Sequence, residues 1–414
     1  MSTALLTDRY ELTMLDAALD TGLAGRRAVF EVFARRLPPG RRFGIVAGQG
    51  RLATLLRAVR YDAEELDALP FLRPAARRWL DGRELALEVS GYAEGSPYAP
   101  GSPVLTVAGC FGEALLLETL VLSVLNADTA IASAAARMVL AAGGRPLIEM
   151  GSRRTHEQAA VSAARAAYVA GFATTSNLEA GRRHGIPTAG TSAHSFVLAH
   201  ATEADAFRVQ VASLGPSTTL LVDTYDTDRG IRTAVEIAGP ALGAVRLDSG
   251  DPAVEVPRAR ALLDSLGAMG TRIVVTGDLD EHAIAGLAGE AVDAYGVGTS
   301  LVTGSGAPTA GFVYKLVAVA RDDGPDAPLV PVAKTSAGKH SIGGRKWAYR
   351  TDDGREVLRL APFGAGSPLQ QPLPSGDDVE SARLVCAAAL LALPAEAQRL
   401  DPGDPAWTAT MEDA

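Results

Sequence analysis

The chain has 414 residues, 47% of them hydrophobic and 5% aromatic, so it is long enough for one large α/β domain with a smaller companion. Its formal net charge of -9 argues against nonspecific nucleic-acid binding through bulk charge, although a local basic pocket for an anion is compatible with it. Two cysteines, Cys110 and Cys386, are too few for a disulfide framework or a cysteine-based zinc site.

Neither a signal peptide nor a membrane span is predicted. The N-terminal stretch "MSTALLTDRYELTML" carries acidic residues early and lacks the apolar core of a signal peptide. The long apolar region 113–144 is interrupted by Glu118, Asn126, Asp128 and Arg137, which is typical of packed helices. We therefore expect a cytoplasmic protein with no nucleic-acid and no membrane partner.

The first third of the chain predicts an α+β domain over residues 1–140. Residues 7–21 predict a helix, with Asp8 and Glu11 at the spacing of a capping box. Strands are predicted for "AVFEVFARRLP" and "GRRFGIVAG". Region 83–109 has alternating runs broken by Gly, Ser and Pro, which favours a small antiparallel sheet, and a helical stretch follows over 112–142.

From about residue 145 the sequence pattern changes to short apolar runs with helix-like segments between several of them. The runs are "RPLIEMGSR", "IPTAGTSAHS", "TTLLVDTYDT", "GAVRLDSGD", "TRIVVTGDLD" and "VDAYGVGTS", and the helical segments are 228–238, 252–266 and 280–288. Strand–helix alternation predicts a parallel sheet, and six or more repeats suggest a closed barrel. We therefore predict an irregular (β/α) barrel over 141–310 in a protein of the α/β class.

After about residue 312 the pattern returns to strands. "FVYKLVAVA" and "LVPVAKTS" read as strands, and "RKWAYRTDDGREVLRL" reads as a hairpin that turns at Asp352-Asp353-Gly354. We expect residues 311–414 to return to the N-terminal region, so that the two together build a second, β-rich α+β domain.

Polar residues fall at the end of each barrel run, after the apolar ones. Asp or Ser in one such position commonly caps the next helix, and capping alone is the competing explanation. Six endings in succession favour a shared site, because barrel enzymes build their sites at the carboxyl ends of the strands. The residues are Glu149, Arg153 and Arg154; His194; Asp223 and Asp226; Arg246, Asp248 and Asp251; Thr276, Gly277 and Asp278; and Gly296, Gly298 and Thr299.

The residue types at these endings suit a phosphorylated sugar. Arg153, Arg154 and Arg246 offer planar forks for carboxylate or phosphate. Glycines in "TGD" and "GVGTS" precede possible helix starts, where free backbone N–H groups hold phosphate. The carboxylates can accept sugar hydroxyls or bind Mg²⁺. A Schiff-base aldolase is excluded, because residues 145–300 contain no lysine.

Motifs over most of the chain resemble the nicotinate phosphoribosyltransferase family. They run in order from "LLTDRYELTM" to "GFVYKLVAV" and include "AVFEVFARRLP", "GSRRTH", "GFATTSN", "GIPTAGTSAHSFV", "LLVDTYDT", "VRLDSGD" and "YGVGTS". The chain also looks like the related nicotinamide enzyme, but "GSRR" and "GTSAHSFV" fit the nicotinate branch better. The family is a type II phosphoribosyltransferase family, and the two-acid signature of the type I enzymes is missing.

The resemblance implies a reaction. Nicotinate and phosphoribosyl pyrophosphate would give nicotinate mononucleotide and pyrophosphate, with ATP hydrolysis coupled through a transient phosphohistidine and with Mg²⁺ as cofactor. His194 would carry the phosphoryl group, Asp248 would orient the ribose hydroxyls, and Asp223 would assist ribose or Mg²⁺ binding. The nicotinamide and quinolinate enzymes, and a catalytically idle nucleotide-binding relative, stay open as alternatives.

The resemblance also assigns substrate contacts. Tyr10 would reach into the site of a neighbouring subunit and stack on the pyridine ring, which implies a homodimer with shared active sites. Met150 stands where many relatives have an aromatic residue. The expected substrate contacts are Tyr10, Met150, Arg153, Arg154, Ser192, Arg246 and Ser249, and the expected phosphate contacts are Gly277, Asp278, Gly296, Gly298 and Thr299.

Overall fold

The fold is taken from a computed structural model, which describes residues 2–324, 326–334, 341–351, 354–362 and 368–412. The helices, besides a 3-10 turn over Leu23–Gly25, are α1 (Arg9–Asp20), α2 (Gln49–Arg57), α3 (Ala63–Asp67), α4 (Pro74–Leu80), α5 (Phe111–Leu115), α6 (Glu118–Ala142), α7 (Glu157–Val169), α8 (Leu178–His184), α9 (His194–Leu198), α10 (Glu203–Leu214), α11 (Thr227–Ala238), α12 (Pro252–Ser265), α13 (Glu281–Gly286), α14 (Thr299–Val302) and α15 (Val379–Ala392). The strands are β1 (Arg27–Ala34), β2 (Gly44–Ile45), β3 (Glu88–Tyr92), β4 (Pro97–Tyr98), β5 (Leu105–Cys110), β6 (Leu147–Glu149), β7 (Thr174–Thr175), β8 (Thr219–Leu221), β9 (Ala244–Leu247), β10 (Arg272–Val275), β11 (Ala294–Val297), β12 (Phe312–Ala320), β13 (Leu329–Pro331), β14 (Trp347–Arg350), β15 (Glu356–Arg359), β16 (Gln370–Pro372) and β17 (Thr410–Met411).

The chain divides into two compact units. Unit 1 combines Met1–Ser133 with Ala307–Ala414, and unit 2 is Ala134–Gly306. The domain bounds expected from the sequence, 140/141 and 310/311, stay a prediction.

Unit 1 is built on a six-stranded sheet in the order β13-β12-β1-β5-β3-β16. The central strand β1 pairs antiparallel with β5 on one side and with the C-terminal strand β12 on the other. Phe30 of β1 and Tyr314 of β12 stack with ring centroids 4.8 Å apart in the core beneath this sheet. The C-terminal strands therefore complete the N-terminal sheet, as the sequence predicts.

A three-stranded sheet in the order β14-β15-β17 belongs to the same unit. Strands β14 and β15 pair antiparallel, from Trp347 opposite Arg359 to Arg350 opposite Glu356, as the predicted hairpin requires. Asp352 and Asp353 of its predicted turn lie outside the described residues.

The predicted capping box at the start of α1 is wrong. Asp8 occupies the N-cap position without a side-chain cap bond. Glu11 is fully buried, and it accepts hydrogen bonds from the hydroxyl of Thr7 at 2.5 Å and from the backbone N–H of Thr119 at 2.9 Å. The carboxylate is therefore used to fasten α1 to α6, 108 residues away in the chain.

Unit 2 contains a parallel sheet of six strands in the order β7-β6-β11-β10-β9-β8. Strands β8, β9, β10 and β11 come from the predicted runs and alternate with α11, α12 and α13. Their apolar residues are buried: Leu220, Val245, Ile273 and Val297 are each 0% exposed. The predicted fold class, a (β/α) barrel beside a β-rich α+β domain, is confirmed.

The irregularity of the barrel lies at β7. The predicted run "IPTAGTSAHS" forms no strand of its own; its Thr188 makes a single bridge to Thr175 of β7. Among the described strands, β7 and β8 are the two edges of the sheet and do not pair, so the ladder is open there. The sheet is therefore a half-barrel, whereas the six strand–helix repeats in the sequence suggested a closed barrel.

One helix of the described chain, α6, is long and apolar enough to cross a membrane by composition alone. Its most apolar window is 72% buried inside the protein. A core helix passes the same test of length and hydropathy, and burial on this scale identifies α6 as one.

Candidate active site at the carboxyl ends of the barrel strands

His194 is contacted from two sides by residues of the site. It is the first residue of α9, and its ring lies between residues that follow β8 and β9. Nδ1 is 3.1 Å from Oγ1 of Thr224, and Nε2 is 3.5 Å from Oδ2 of Asp248. About one third of the side chain is exposed (35%), so the ring is both held and accessible.

Asp248 is fixed by a tight hydrogen-bond network. Its Oδ1 accepts from Nη2 of Arg246 at 2.9 Å and from the hydroxyl of Thr276. Nε of Arg246 donates to the same hydroxyl at 2.9 Å, and Nη1 donates to the carbonyl of Ser192 at 3.2 Å. Since arginine can only donate, Thr276 accepts from it and gives its single proton to Asp248.

Asp223 ties the ends of β8 and β9 together. Its Oδ2 accepts from the backbone N–H groups of Asp248 at 2.6 Å and Ser249 at 2.7 Å. Its Oδ1 is buried and has no partner among the described residues, and the same is true of Oγ of Ser192. A buried polar atom without a partner is costly, which makes both atoms candidates for a contact with a ligand group.

The electrostatics keep Asp248 ionised. Burial raises the pKa of this carboxyl, but hydrogen bonds from Arg246 and Thr276 and the charge of Arg246 outweigh it, so the pKa lies below its ordinary value. An anion therefore faces Nε2 of His194, which stabilises positive charge on the ring.

The ends of β6 and β11 are organised by burial and close packing. Glu149 is fully buried; it accepts from the N–H of Gly151 at 2.5 Å and from the hydroxyl of Thr175 at 2.5 Å. Burial raises the pKa of Glu149. A Cβ placed on Gly296 would lie 2.8 Å from Sδ of Met150. Only glycine fits there, and Met150 packs on the strand end where the resemblance expects the pyridine ring.

The two arginines after β6 differ from Arg246, which is paired with Asp248, in being exposed to solvent. Arg153 and Arg154 are exposed, and neither forms an ion pair within the part of the chain that the structure describes. Gly277, at φ +121°, and Asp278 form an exposed turn after β10, and Gly298 precedes the short helix α14, which begins at the exposed Thr299. These positions follow β6, β10 and β11 at the carboxyl ends of the strands.

Some predicted residues serve the local structure. For Asp251, ligand binding and helix capping were the two possibilities. Its carboxylate accepts from the N–H of Ala253 and caps α12. Asp226 caps α11. Arg246, expected to contact substrate, has all three nitrogen positions engaged by protein groups.

Tyr10 lies in unit 1, on α1. Its side chain is 43% exposed, and burial together with the charges of Glu118 and Glu11 raises its pKa to about 12. Its phenol is therefore neutral at physiological pH. Its expected reach into a neighbouring subunit stays a prediction.

The sequence placed Glu149 and Thr276 among the strand-end residues without giving either a role, and it did not name Thr224. Thr224 and Thr276 stand at strand ends among the polar residues, which is the only signal that marks them. Their partners are 28 to 30 residues away in the chain, a distance at which local spacing carries no information.

A half-barrel with a histidine, carboxylates and arginines at its strand ends belongs to the class of barrel enzymes that act on anionic ligands. Family models agree on a narrower placement. Residues 5–126 match the nicotinate phosphoribosyltransferase N-terminal domain, and residues 146–345 match the nicotinate phosphoribosyltransferase family. The chain belongs to the nicotinate phosphoribosyltransferase family.

Individual relatives support this placement. A nicotinate phosphoribosyltransferase of Mycobacterium tuberculosis is 55% identical over 97% of this chain and 94% of its own length. The crystal structure of human nicotinic acid phosphoribosyltransferase matches at a TM-score of 0.78 and 28% identity, covering 98% of this chain and 97% of the human chain. A nicotinate-nucleotide pyrophosphorylase of Pyrococcus furiosus, 24% identical over 95% of this chain and 96% of its own, has a TM-score of 0.77 and shares the fold.

Proposed function

We propose that this protein is a nicotinate phosphoribosyltransferase, which forms nicotinate mononucleotide and pyrophosphate from nicotinate and phosphoribosyl pyrophosphate in NAD salvage. The observation that carries the proposal is the His194 cluster at the strand ends, in a chain of this family. The bond from the anomeric carbon to the pyrophosphate oxygen breaks, and the pyridine nitrogen supplies the electron pair of the new bond. No general base is needed, because that nitrogen already carries a lone pair.

Different residues of the site bind the nicotinate, the ribose and the phosphates. Arg153 and Arg154 have uncommitted forks for the nicotinate carboxylate and for phosphate oxygens. Met150 packs beneath the pyridine ring, and Asp248 with Ser249 orients the ribose hydroxyls. The phosphates are held by Gly277, Asp278, Gly296, Gly298 and Thr299.

His194 accepts the phosphoryl group of ATP. Nε2 attacks the γ-phosphorus while the bond to the β-γ bridging oxygen breaks, and that electron pair leaves with ADP. The ionised Asp248 beside Nε2 balances the charge that the ring gains. Water later cleaves the N–P bond and releases phosphate, so that ATP hydrolysis drives product formation.

Mg²⁺ fits this site as a partner of substrate phosphates. The described residues contain no group of three His, Cys, Asp or Glu that could hold a metal by themselves. Mg²⁺ is commonly held by one or two carboxylates together with phosphates, and Oδ1 of Asp223 is buried without a partner. Asp223 is therefore the residue that would hold it, and the ion would offset charge on the departing pyrophosphate.

The proposal extends to assembly and location. Tyr10 completes the pyridine site of a second subunit, so that the protein is a homodimer with shared active sites. Its location is the cytoplasm. A mixture of His194→Ala and Tyr10→Ala proteins tests this, because subunit exchange rebuilds one intact site, and with it ATP-stimulated activity, only if Tyr10 acts across subunits.

Product analysis by chromatography tests the reaction itself. The protein receives phosphoribosyl pyrophosphate, Mg²⁺ and ATP with nicotinate, nicotinamide or quinolinate in parallel. Nicotinate mononucleotide from nicotinate alone supports the proposal. Product chiefly from another base contradicts the carboxylate role of the arginine pair, and no product from any base contradicts the enzymatic role.

A further inference from the structure

The ring of His194 has two protein partners of different chemistry. Nδ1 meets the hydroxyl of Thr224 at 3.1 Å, and Nε2 meets the carboxylate of Asp248 at 3.5 Å. Two contacts on opposite sides of an imidazole fix both its position and its plane. The sequence resemblance named Asp248 for this neighbourhood but gave no role to Thr224.

The hydroxyl differs from the carboxylate in what it can do. An ionised carboxylate only accepts hydrogen bonds, whereas a threonine hydroxyl can donate or accept. When the hydroxyl of Thr224 accepts the proton of Nδ1, the lone pair of the neutral ring lies on Nε2. Nδ1 keeps that proton when Nε2 becomes bonded to phosphorus and the ring becomes a cation. Thr224 can keep its contact through both states.

The backbone links the two partners. Asp223, directly before Thr224, accepts the N–H groups of Asp248 and Ser249. The spacing between Thr224 and Asp248 is thereby set by Asp223, and it does not depend on the histidine that lies between them. The holder of the ring is complete before any ligand binds.

We propose that Thr224 is a positioning residue for His194, whose hydroxyl keeps the ring plane fixed between the ends of β8 and β9 while the charge of the ring changes. This inference rests on the proposed phosphohistidine cycle. Thr224 acts through the histidine and contacts no reacting atom.

The test compares three variants of the full chain. Thr224→Val removes the hydroxyl at nearly the same volume, Thr224→Ser keeps the hydroxyl, and Thr227→Val is a matched change for which no contact with His194 is seen among the described residues. Acid-labile labelling from γ-phosphate-labelled ATP measures the rate of phosphohistidine formation. The ¹⁵N shifts of the six histidines report the ring directly, with His194 assigned by its loss in His194→Ala.

We expect Thr224→Val to slow phosphohistidine formation about tenfold, the usual cost of one hydrogen bond to a group that becomes charged. Its His194 ¹⁵N shifts should move, and Thr224→Ser should restore both the rate and the shifts. Thr227→Val should behave as the parent protein.

Two results would overturn the inference: unchanged His194 ¹⁵N shifts in Thr224→Val, or equal loss in the Val and Ser variants, which would mean that only packing matters. If the parent protein is not labelled at all, the phosphohistidine of the proposed function fails. The ¹⁵N comparison still decides the role of Thr224 in that case.

Discussion

The two halves of the strand-end rim differ in how far their polar side chains are already committed. Around β8, β9 and β10, Arg246, Asp248 and Thr276 satisfy one another, and Asp223 holds their backbone. After β6, Arg153 and Arg154 are exposed and unpaired within the described residues. The polar groups of the first half are bonded to one another and hold His194 in place. The arginines of the second half carry positive charges that an anionic ligand can pair with.

The difference explains why an arginine is not a uniform signal of ligand binding. The guanidinium of Arg246 donates to Asp248 and to the Ser192 carbonyl. Its loss would therefore affect activity by disturbing the position of His194. The exposed pair has no such duty, so its loss would act on ligand affinity. Variants that remove the side chains of one half at a time separate the two effects.

The largest effect is expected from the open half. Arg153→Gln combined with Arg154→Gln should lower kcat/KM for nicotinate about 100-fold through KM, because charged donors to the carboxylate are lost. Arg182→Gln with Arg183→Gln removes another exposed arginine pair, one already bound to Glu179. This control pair should leave the kinetics unchanged. Equal losses in both double variants would contradict a specific role.

A smaller effect is expected from breaking the first half. Thr276→Val leaves Nε of Arg246 without its acceptor and removes a donor to Asp248. We expect about a tenfold fall in kcat with ATP present and little change in nicotinate KM. Thr276→Ser should recover the activity. A rise in KM with constant kcat would place Thr276 in substrate binding instead.

Packing at the strand ends should be costly to disturb. A Cβ on Gly296 would lie 2.5 Å from Cγ2 of Thr276 and 2.8 Å from Sδ of Met150. Gly296→Ala should lower the free energy of unfolding by about 1–3 kcal/mol, measured by urea denaturation. Gly289→Ala, where a Cβ meets nothing within 4 Å, is the control. Equal stability of the two variants would show that the strand end relaxes freely.

The smallest effect concerns pH. The pKa of Asp248 is lower in the folded protein than in an unfolded chain, so its ionised form stabilises the fold above the unfolded value of about 3.9. This contribution is lost as pH falls through the folded pKa. The stability difference between the parent and Asp248→Asn should therefore shrink as pH falls from 7 toward 3. A difference that grows on acidification would contradict the assignment.

The sequence was a good guide where a structural rule is local. Apolar runs followed by polar residues placed Asp223, Asp248 and Arg246 at one rim, because parallel strands end on the same side of their sheet. His194 reaches the same rim from a run that forms no strand. The same pattern could not show that Thr224 and Thr276 hold the reactive residues, since those contacts join segments about 30 residues apart.

Two failures have the same origin. Glu11 has the spacing of a cap but bonds to Thr119, 108 residues later. The two-residue strand β7 was not predicted, because Thr174–Thr175 is too short to show a period of its own. In each case a distant partner decides the structure, and a single sequence does not display it.

The role of His194 as the phosphoryl acceptor is tested most directly with His194→Ala. Nicotinate mononucleotide formation is measured with and without ATP for the parent and for the variant, together with acid-labile labelling of the protein. ATP should stimulate the parent and label it, and it should do neither in His194→Ala. Full ATP stimulation of the variant would contradict the account, because the cluster at the ends of β8 and β9 would then not hold the phosphoryl acceptor.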